Sequence, residues 1–312
     1  MNKYLKISLY SLGILALVAV LTVLGVNFGE YDLALSRAIG DPDSLYGQFF
    51  AYFGDGIAYM ILLFGLLVIL CNIPKEKRYL GLLNVALIFV TLFMTNKWFV
   101  KHVMTEGISA SEYKYLYVVF LAAVETFFFV KISTYFDKLL MNKWLLFGVF
   151  CVLVVLTSQA IVQGSKLFWC RLRFRNMDDA ATGFTPWWHP NWTKSAIADY
   201  VVEGSPQPDD FYKSFPSGHT ASAGVLFVLI YLPLIYKDAP NWKKVLCYLV
   251  PWIAVIVMAF SRVVNEAHFL SDTVIGGAAA FFSAVLWKYA LPEIAKKISK
   301  KRGSDTAKEI VR

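Results

Sequence analysis

Four side chains able to do acid, base or ionic chemistry stand together in Ser261–Asp272, reading SRVVNEAHFLSD, between two strongly apolar runs. They are Arg262, Glu266, His268 and Asp272. A helix starting near Ala267 would place His268 and Asp272 one turn apart on the same face, within reach of each other. An aspartate holding the Nδ1 proton leaves Nε2 unprotonated and stabilises the charge that develops when that nitrogen attacks an electrophile. Arg262 adds a planar, doubly donating cation suited to an anion. Taken alone, the same pair is equally a histidine and an aspartate that satisfy each other at a helix end.

Two further polar clusters belong to the same chemistry. In Lys166–Arg175, KLFWCRLRFR, Lys166 and Arg173 are seven residues apart, so a continuing helix would present both cations from one side. In Phe215–His219, FPSGH, Pro216 and Ser217 suit the start of a helix, and Gly218 allows a ligand close to the backbone. The free N–H groups of a helix start bind phosphate, and His219 beside them is placed to protonate a leaving oxygen. Each cluster has a plain alternative, a cationic helix cap for the first and an ordinary turn for the second. Together they offer three cations, backbone donors and two histidines with one carboxylate, an inventory suited to a phosphoryl group. The cations already neutralise such a group, and no cluster of carboxylates suggests a magnesium site, so neither metal nor cofactor is expected.

The elements that must carry these clusters are apolar helices. Of 312 residues, 58% are hydrophobic and 16% aromatic, and the mean hydropathy is +0.55, the composition of a polytopic membrane protein. Hydropathy predicts an all-α membrane bundle of about eight transmembrane helices, over 6–26, 57–73, 79–96, 115–133, 144–163, 220–236, 245–260 and 270–288. The first follows Lys3 and Lys6 and lacks a cleavage pattern, which reads as an uncleaved helix. Residues 30–54 read as an amphipathic helix lying in the interface, with a structural role. The domain reading is N-terminal helices over 1–144, a core carrying the three clusters over 145–288 and a basic tail over 289–312.

The net charge of +8 does not point to nucleic acid, because 19 of the 30 Lys and Arg fall in alternate short loops and the two terminal segments. That asymmetry places both termini in the cytoplasm. Span parity puts all three clusters on one face whatever the orientation, and with cytoplasmic termini that face is extracytoplasmic. The four cysteines spell out neither a disulfide framework nor a thiolate metal site. His102 and His189 lie outside the clusters, and Asp178, Asp179, Asp209 and Asp210 read as solvated surface.

In order and spacing the clusters resemble the type 2 phosphatidic acid phosphatase family, whose pattern is a Lys, six residues and Arg-Pro, then Pro-Ser-Gly-His, then Ser-Arg, five residues, His, three residues and Asp. The second part matches as Pro216-Ser217-Gly218-His219 and the third as Ser261-Arg262 through His268 to Asp272. The first matches at Lys166 and Arg173 but has Phe174 where the family usually has Pro, leaving Arg171 or Arg175 as possible sharers of the role of Arg173. The resemblance, which covers about Leu145 to Trp287, implies a metal-independent hydrolase of the cell membrane. By the resemblance His268 is the nucleophile, Asp272 orients it, and His219 protonates the leaving group and then helps activate water. Lys166, Arg173, Ser217, Gly218 and Arg262 would hold the phosphate. The implied substrate is a lipid phosphate such as phosphatidate, phosphatidylglycerol phosphate or polyprenyl diphosphate. A phosphotransferase passing the phosphate to another lipid or a sugar would use the same groups. A transporter would keep its charges at mid-depth, whereas these stand at span ends. Vanadium-dependent haloperoxidases resemble the same site, but the spans favour a lipid-facing enzyme.

Overall fold

The computed structural model describes residues 14, 18–23, 29–102, 113–136, 138–177, 183–190 and 211–301. Most of the expected first span, the acidic pairs Asp178-Asp179 and Asp209-Asp210, and the tail from Arg302 lie outside the described residues. What is described is helical, without strands: α1 Glu30–Ile39, α2 Leu45–Phe53, α3 Gly56–Asn72, α4 Arg78–His102, α5 Lys114–Ser133, α6 Lys138–Trp169, α7 Gly218–Gly224, α8 Leu232–Ile235, α9 Asn241–Val264 and α10 Leu270–Lys301. Among the described residues seven helical stretches are long and apolar enough to cross a membrane. Their outward faces carry large apolar side chains, such as Leu82 and Leu83 of α4 and Phe127 and Phe128 of α5, which suits contact with lipid.

The stretch expected to lie in the interface is divided differently. Residues from Leu45 run through α2 and α3 as a single crossing candidate ending at Asn72, and only α1 remains a separate amphipathic helix. Gly47, Gly54, Asp55 and Gly56 dilute the hydropathy there, which hides the start of the span in a sequence average.

The chain divides into two compact units, residues 1–55 with 157–282, and residues 56–156 with 283–312. In the second unit Leu66, Ile88, Leu92 and Ala122 of α3, α4 and α5 form a core. Gly65 of α3 faces the Gly148 carbonyl of α6 so closely that an added Cβ would stand 2.7 Å from it, the close backbone approach that small residues permit between membrane helices.

The first unit holds the three clusters. Phe227, Trp252 and Phe281 meet edge to face or tilted, with ring centroids 4.9–5.4 Å apart, and tie the 3-10 stretch Val225–Tyr231 to α9 and α10. Val162, Ala221 and Ala279 bury a further contact among α6, α7 and α10. At Gly276 an added Cβ would lie 2.3 Å from the Ser217 carbonyl, so only glycine lets the start of α7 seat against α10. Ser217 N–H donates to the Asp272 carbonyl at 2.9 Å in the same contact, which brings the Pro-Ser-Gly-His turn to the His268 segment.

Candidate active site

His268 is not on a helix. α9 stops at Val264, and Ala267 N–H and His268 N–H both fold back onto the Arg262 carbonyl, at 3.1 and 3.3 Å, with Glu266 in the left-handed region at φ 54°. α10 begins only at Leu270, three residues later than expected, so His268 leaves a tight turn instead of standing one helical turn from Asp272. The side chain is 2% exposed, and its Nδ1 lies 2.5 Å from the Ser214 carbonyl oxygen. Asp272 Oδ2 is 3.9 Å from Nδ1, beyond a hydrogen bond. This corrects the expectation that the carboxylate itself holds the imidazole. A carbonyl only accepts, so Nδ1 carries the proton and Nε2 is left with its lone pair, the same electronic outcome from a different partner.

Asp272 is engaged elsewhere. Its Oδ2 accepts from Ser214 Oγ at 2.5 Å and from Phe269 N–H at 2.9 Å, and its Oδ1 accepts from Arg171 Nη1 at 2.5 Å. Asp272 therefore fixes His268 at one remove, through the residue whose carbonyl the ring touches. Arg171 has no exposed side-chain surface: Nη2 donates to Asp32 Oδ2 at 3.1 Å, Nε to the Thr185 carbonyl at 2.8 Å and Nη1 also to Ser271 Oγ at 2.8 Å. Its guanidinium lies 4.1 Å from the Phe269 ring centroid. Asp32 of α1 completes the cluster by accepting from Ser271 N–H at 3.0 Å. Two buried carboxylates thus share one guanidinium. The sequence reading passed over Asp32, although Asp32 and Ser36 lie one turn apart beside Leu33, polar groups on the stripe that α1 buries.

The cations come from separate elements. α6 ends at Trp169, and Cys170 at φ 46° turns the chain, so Lys166 and Arg173 do not share the helix face that was expected. Lys166 remains on the last turn of α6, where a Cβ added to Gly218 would stand 3.4 Å from its Nζ. Arg173 follows in extended backbone held by Arg173 N–H to the Phe211 carbonyl at 2.8 Å, and Arg175 N–H reaches the Glu266 carbonyl at 3.1 Å. Phe174, at the position of the family's proline, opens a short 3-10 turn and packs edge-on to Phe269 at 6.1 Å. Trp169 stacks on Phe215 at 4.6 Å, fixing the end of α6 against the segment before Ser217. Arg262 is buried, with Nη2 donating to Asn265 Oδ1 at 2.7 Å and Nε meeting no acceptor among the described residues. Burial first, then the positive charges of Arg173, Lys166 and Arg262 and the neighbouring His219, hold the proton affinity of His268 well below that of an ordinary imidazole.

The second histidine stands across the same site. Ser217 caps α7, accepting from Thr220 N–H at 3.4 Å and from Thr220 Oγ1 at 3.0 Å, so its own hydroxyl proton can be donated outward. His219 Nε2 lies 3.1 Å from the Ala51 carbonyl and 3.7 Å from Asp55 Oδ2, two partners in the α2–α3 stretch that the sequence reading did not connect to the site. Asp55 is the one charged residue between Leu45 and Asn72, and that was the signal available for finding it. Among the described residues no group of three His, Cys, Asp or Glu side chains stands where it could hold a metal ion.

Neither the curated proteins nor the solved structures contain a match to the chain. Residues 147–295, which contain Lys166, Arg173, the Ser217–His219 turn, Arg262, His268 and Asp272, match the model of the PAP2 superfamily. Over that stretch the helical membrane chain is therefore similar to the PAP2 superfamily, consistent with the type 2 phosphatidic acid phosphatase family that the three clusters resemble.

Proposed function

We propose that the protein is an integral-membrane lipid phosphate phosphatase that works through a phosphohistidine on His268. The observation that carries this reading is the electrostatic surrounding of His268 Nε2. Nδ1 is committed to a carbonyl, and three cations from α6, the 170–177 loop and α9 act on the ring. Such a nitrogen stays neutral and nucleophilic while the cations gather an anion onto it. Lys166, Arg173 and Arg262, whose Nε has no acceptor among the described residues, would take the nonbridging oxygens, and Ser217 Oγ and the backbone at Gly218 would supply neutral donors.

In the first step Nε2 forms a bond to phosphorus as the ester P–O bond breaks. The leaving oxygen takes a proton from His219. In the second step neutral His219 takes a proton from water, the water oxygen bonds to phosphorus, the N–P bond breaks, and phosphate leaves with His268 restored. Ser214 and Asp272 position the ring throughout. The seven stretches among the described residues that are long and apolar enough to cross a membrane favour a lipid ester, and the charge asymmetry favours cytoplasmic termini with the site on the outer face.

The test is release of phosphate by purified protein from phosphatidate, phosphatidylglycerol phosphate and polyprenyl diphosphate, with excess EDTA and with vanadate in parallel arms. Activity that survives EDTA, stops with vanadate and vanishes in His268→Ala supports the reading. Magnesium-dependent activity, or near-normal turnover by the variant, sinks it. A phosphorylated lipid or sugar among the products, in place of free phosphate, would mean that water is not the acceptor.

A further inference from the structure

The two histidines are held in the same way through opposite nitrogens. His268 sets Nδ1 against a backbone carbonyl at 2.5 Å with a carboxylate oxygen at 3.9 Å. His219 sets Nε2 against a backbone carbonyl at 3.1 Å with a carboxylate oxygen at 3.7 Å. The carboxylate beside His268 is part of its own motif. The one beside His219 is Asp55, which lies outside the stretch matched by the superfamily model.

We infer that Asp55 is a positioning residue for His219, holding the Nε2–H form of the ring and stabilising the imidazolium that gives up its proton from Nδ1. Three observations support this. Asp55 interrupts an otherwise uncharged apolar stretch, where an ionised side chain is expensive and calls for a role. Its other oxygen is fixed: Oδ1 accepts from Ser222 Oγ at 3.0 Å, and that oxygen accepts from Gln159 Nε2 at 3.2 Å, so Oδ2 is left to the histidine. The helix joint is also built for the contact, because a Cβ added at Gly54 would stand 2.9 Å from His219 Cδ2 and 2.8 Å from Met258 Cε.

The charge arrangement gives the physical need. The groups acting on His219 are Asp55, from the α2–α3 joint, and the cations Arg262 of α9 and Lys166 of α6, and His219 in turn acts on His268 of the 265–269 turn. Without Asp55 an imidazolium would face two cations and no anion. A ring that must start protonated, lose its proton to the ester oxygen and regain one from water needs that one negative charge nearby.

This inference rests on the phosphatase reading, and the experiment separates the two. Wild type, Asp55→Asn, Asp55→Glu, His219→Ala and the Asp55→Asn/His219→Ala double variant are assayed on phosphatidate and on p-nitrophenyl phosphate. Asp55→Asn should lower kcat on phosphatidate by about 10²-fold, with KM within about threefold and nitrophenyl turnover reduced less than about tenfold, because only the lipid alkoxide needs an acid. Asp55→Glu should recover most of the loss, and the double variant should be no slower than His219→Ala. Equal losses on both substrates, or additive losses in the double variant, overturn the role of Asp55 while leaving the phosphatase reading standing. If wild type releases no phosphate from either substrate, the phosphatase reading fails, and ring 15N shifts of histidine-labelled protein still decide the geometry. Asp55→Asn must change the tautomer signature of His219 and leave that of His268 unchanged, and an unchanged His219 refutes the contact. Should Asp55→Asn fail to fold, Ser222→Ala, which frees Asp55 Oδ1, must show a smaller loss with the same substrate bias, and a loss without that bias counts against the role.

Discussion

Ser214 presents its backbone carbonyl to His268 Nδ1 and its hydroxyl to Asp272 Oδ2, so one residue joins the ring to the carboxylate. The tautomer of His268 depends on where residue 214 sits. That position is set by Ser214 N–H donating to the Arg171 carbonyl at 3.1 Å and by the hydroxyl contact to Asp272. The ion cluster around Arg171 is thus the foundation on which the His268 ring is held.

Its stability consequence is direct. Arg171, Asp32 and Asp272 are each fully buried at their side chains, and removing one partner strands the charge of the others. Arg171→Met should cost about 3–5 kcal/mol, as breaking a buried pair typically does, and should leave two facing carboxylates. Asp32→Ala should cost a similar amount although Asp32 lies far from the motifs in sequence. Thermal unfolding in detergent measures both. A midpoint for Asp32→Ala equal to that of wild type would mean that α1 only lies in the interface.

The pH response of His268 has a definite sign. Burial and the surrounding cations lower its proton affinity in the folded state, whereas in the unfolded chain it titrates near the ordinary value of about 6.5. The acid limb that His268 contributes to kcat/KM should therefore fall below that value. For stability, the unfolded chain binds the proton first as pH drops, so the contribution is present above about pH 6.5 and is lost progressively as pH falls toward the folded value. Wild type should lose more thermal stability than His268→Ala between pH 7.5 and pH 5. Parallel losses in the two proteins would place the histidine in an unperturbed environment.

The parts of the site that could be read from the sequence are those in which side chains and spacing carry the message. Lys166, Arg173, Ser217, Gly218, His219, Arg262, His268 and Asp272 all fall in the clusters recognised from residue type, and the all-helical membrane architecture follows from hydropathy. What escaped was the means by which they are held. The Ser214 and Ala51 carbonyls carry no residue-type signal, because every residue has one. Asp32 and Asp55 act across contacts of very long sequence separation, and their neighbours in sequence resemble any interfacial or apolar stretch. The helical spacing of Lys166 and Arg173 misled for a local reason: Cys170 turns into the left-handed region and ends the helix between them.

Charge favours one orientation of the proposed site, since 19 of the 30 Lys and Arg lie in segments that parity assigns to one side. With native Cys170 replaced, a cysteine introduced near Asn191 should react with an impermeant thiol reagent on intact cells, and one near Asp238 should not. The reverse pattern would invert the protein and still keep the three clusters on one face. Opposite labelling of positions near Asn191 and Asn265 would instead break the site apart.

The two histidines differ in what a substrate asks of them. A lipid alkoxide is a poor leaving group and needs a proton as the P–O bond breaks, whereas p-nitrophenolate leaves as a stable anion. His219→Ala should therefore damage phosphatidate turnover by about 10²–10⁴-fold, the usual worth of a general acid, and p-nitrophenyl phosphate turnover far less. His268→Ala should abolish both, because every substrate needs the nucleophile. The comparison reads formation of the phosphoenzyme only if that step limits the rate, which a pre-steady-state burst of nitrophenol would rule out. With no burst, equal slowing of both substrates by His219→Ala would remove the acid from the first step. The Nε2 contact with Ala51 would then serve a ring that binds phosphate or activates water in the second step.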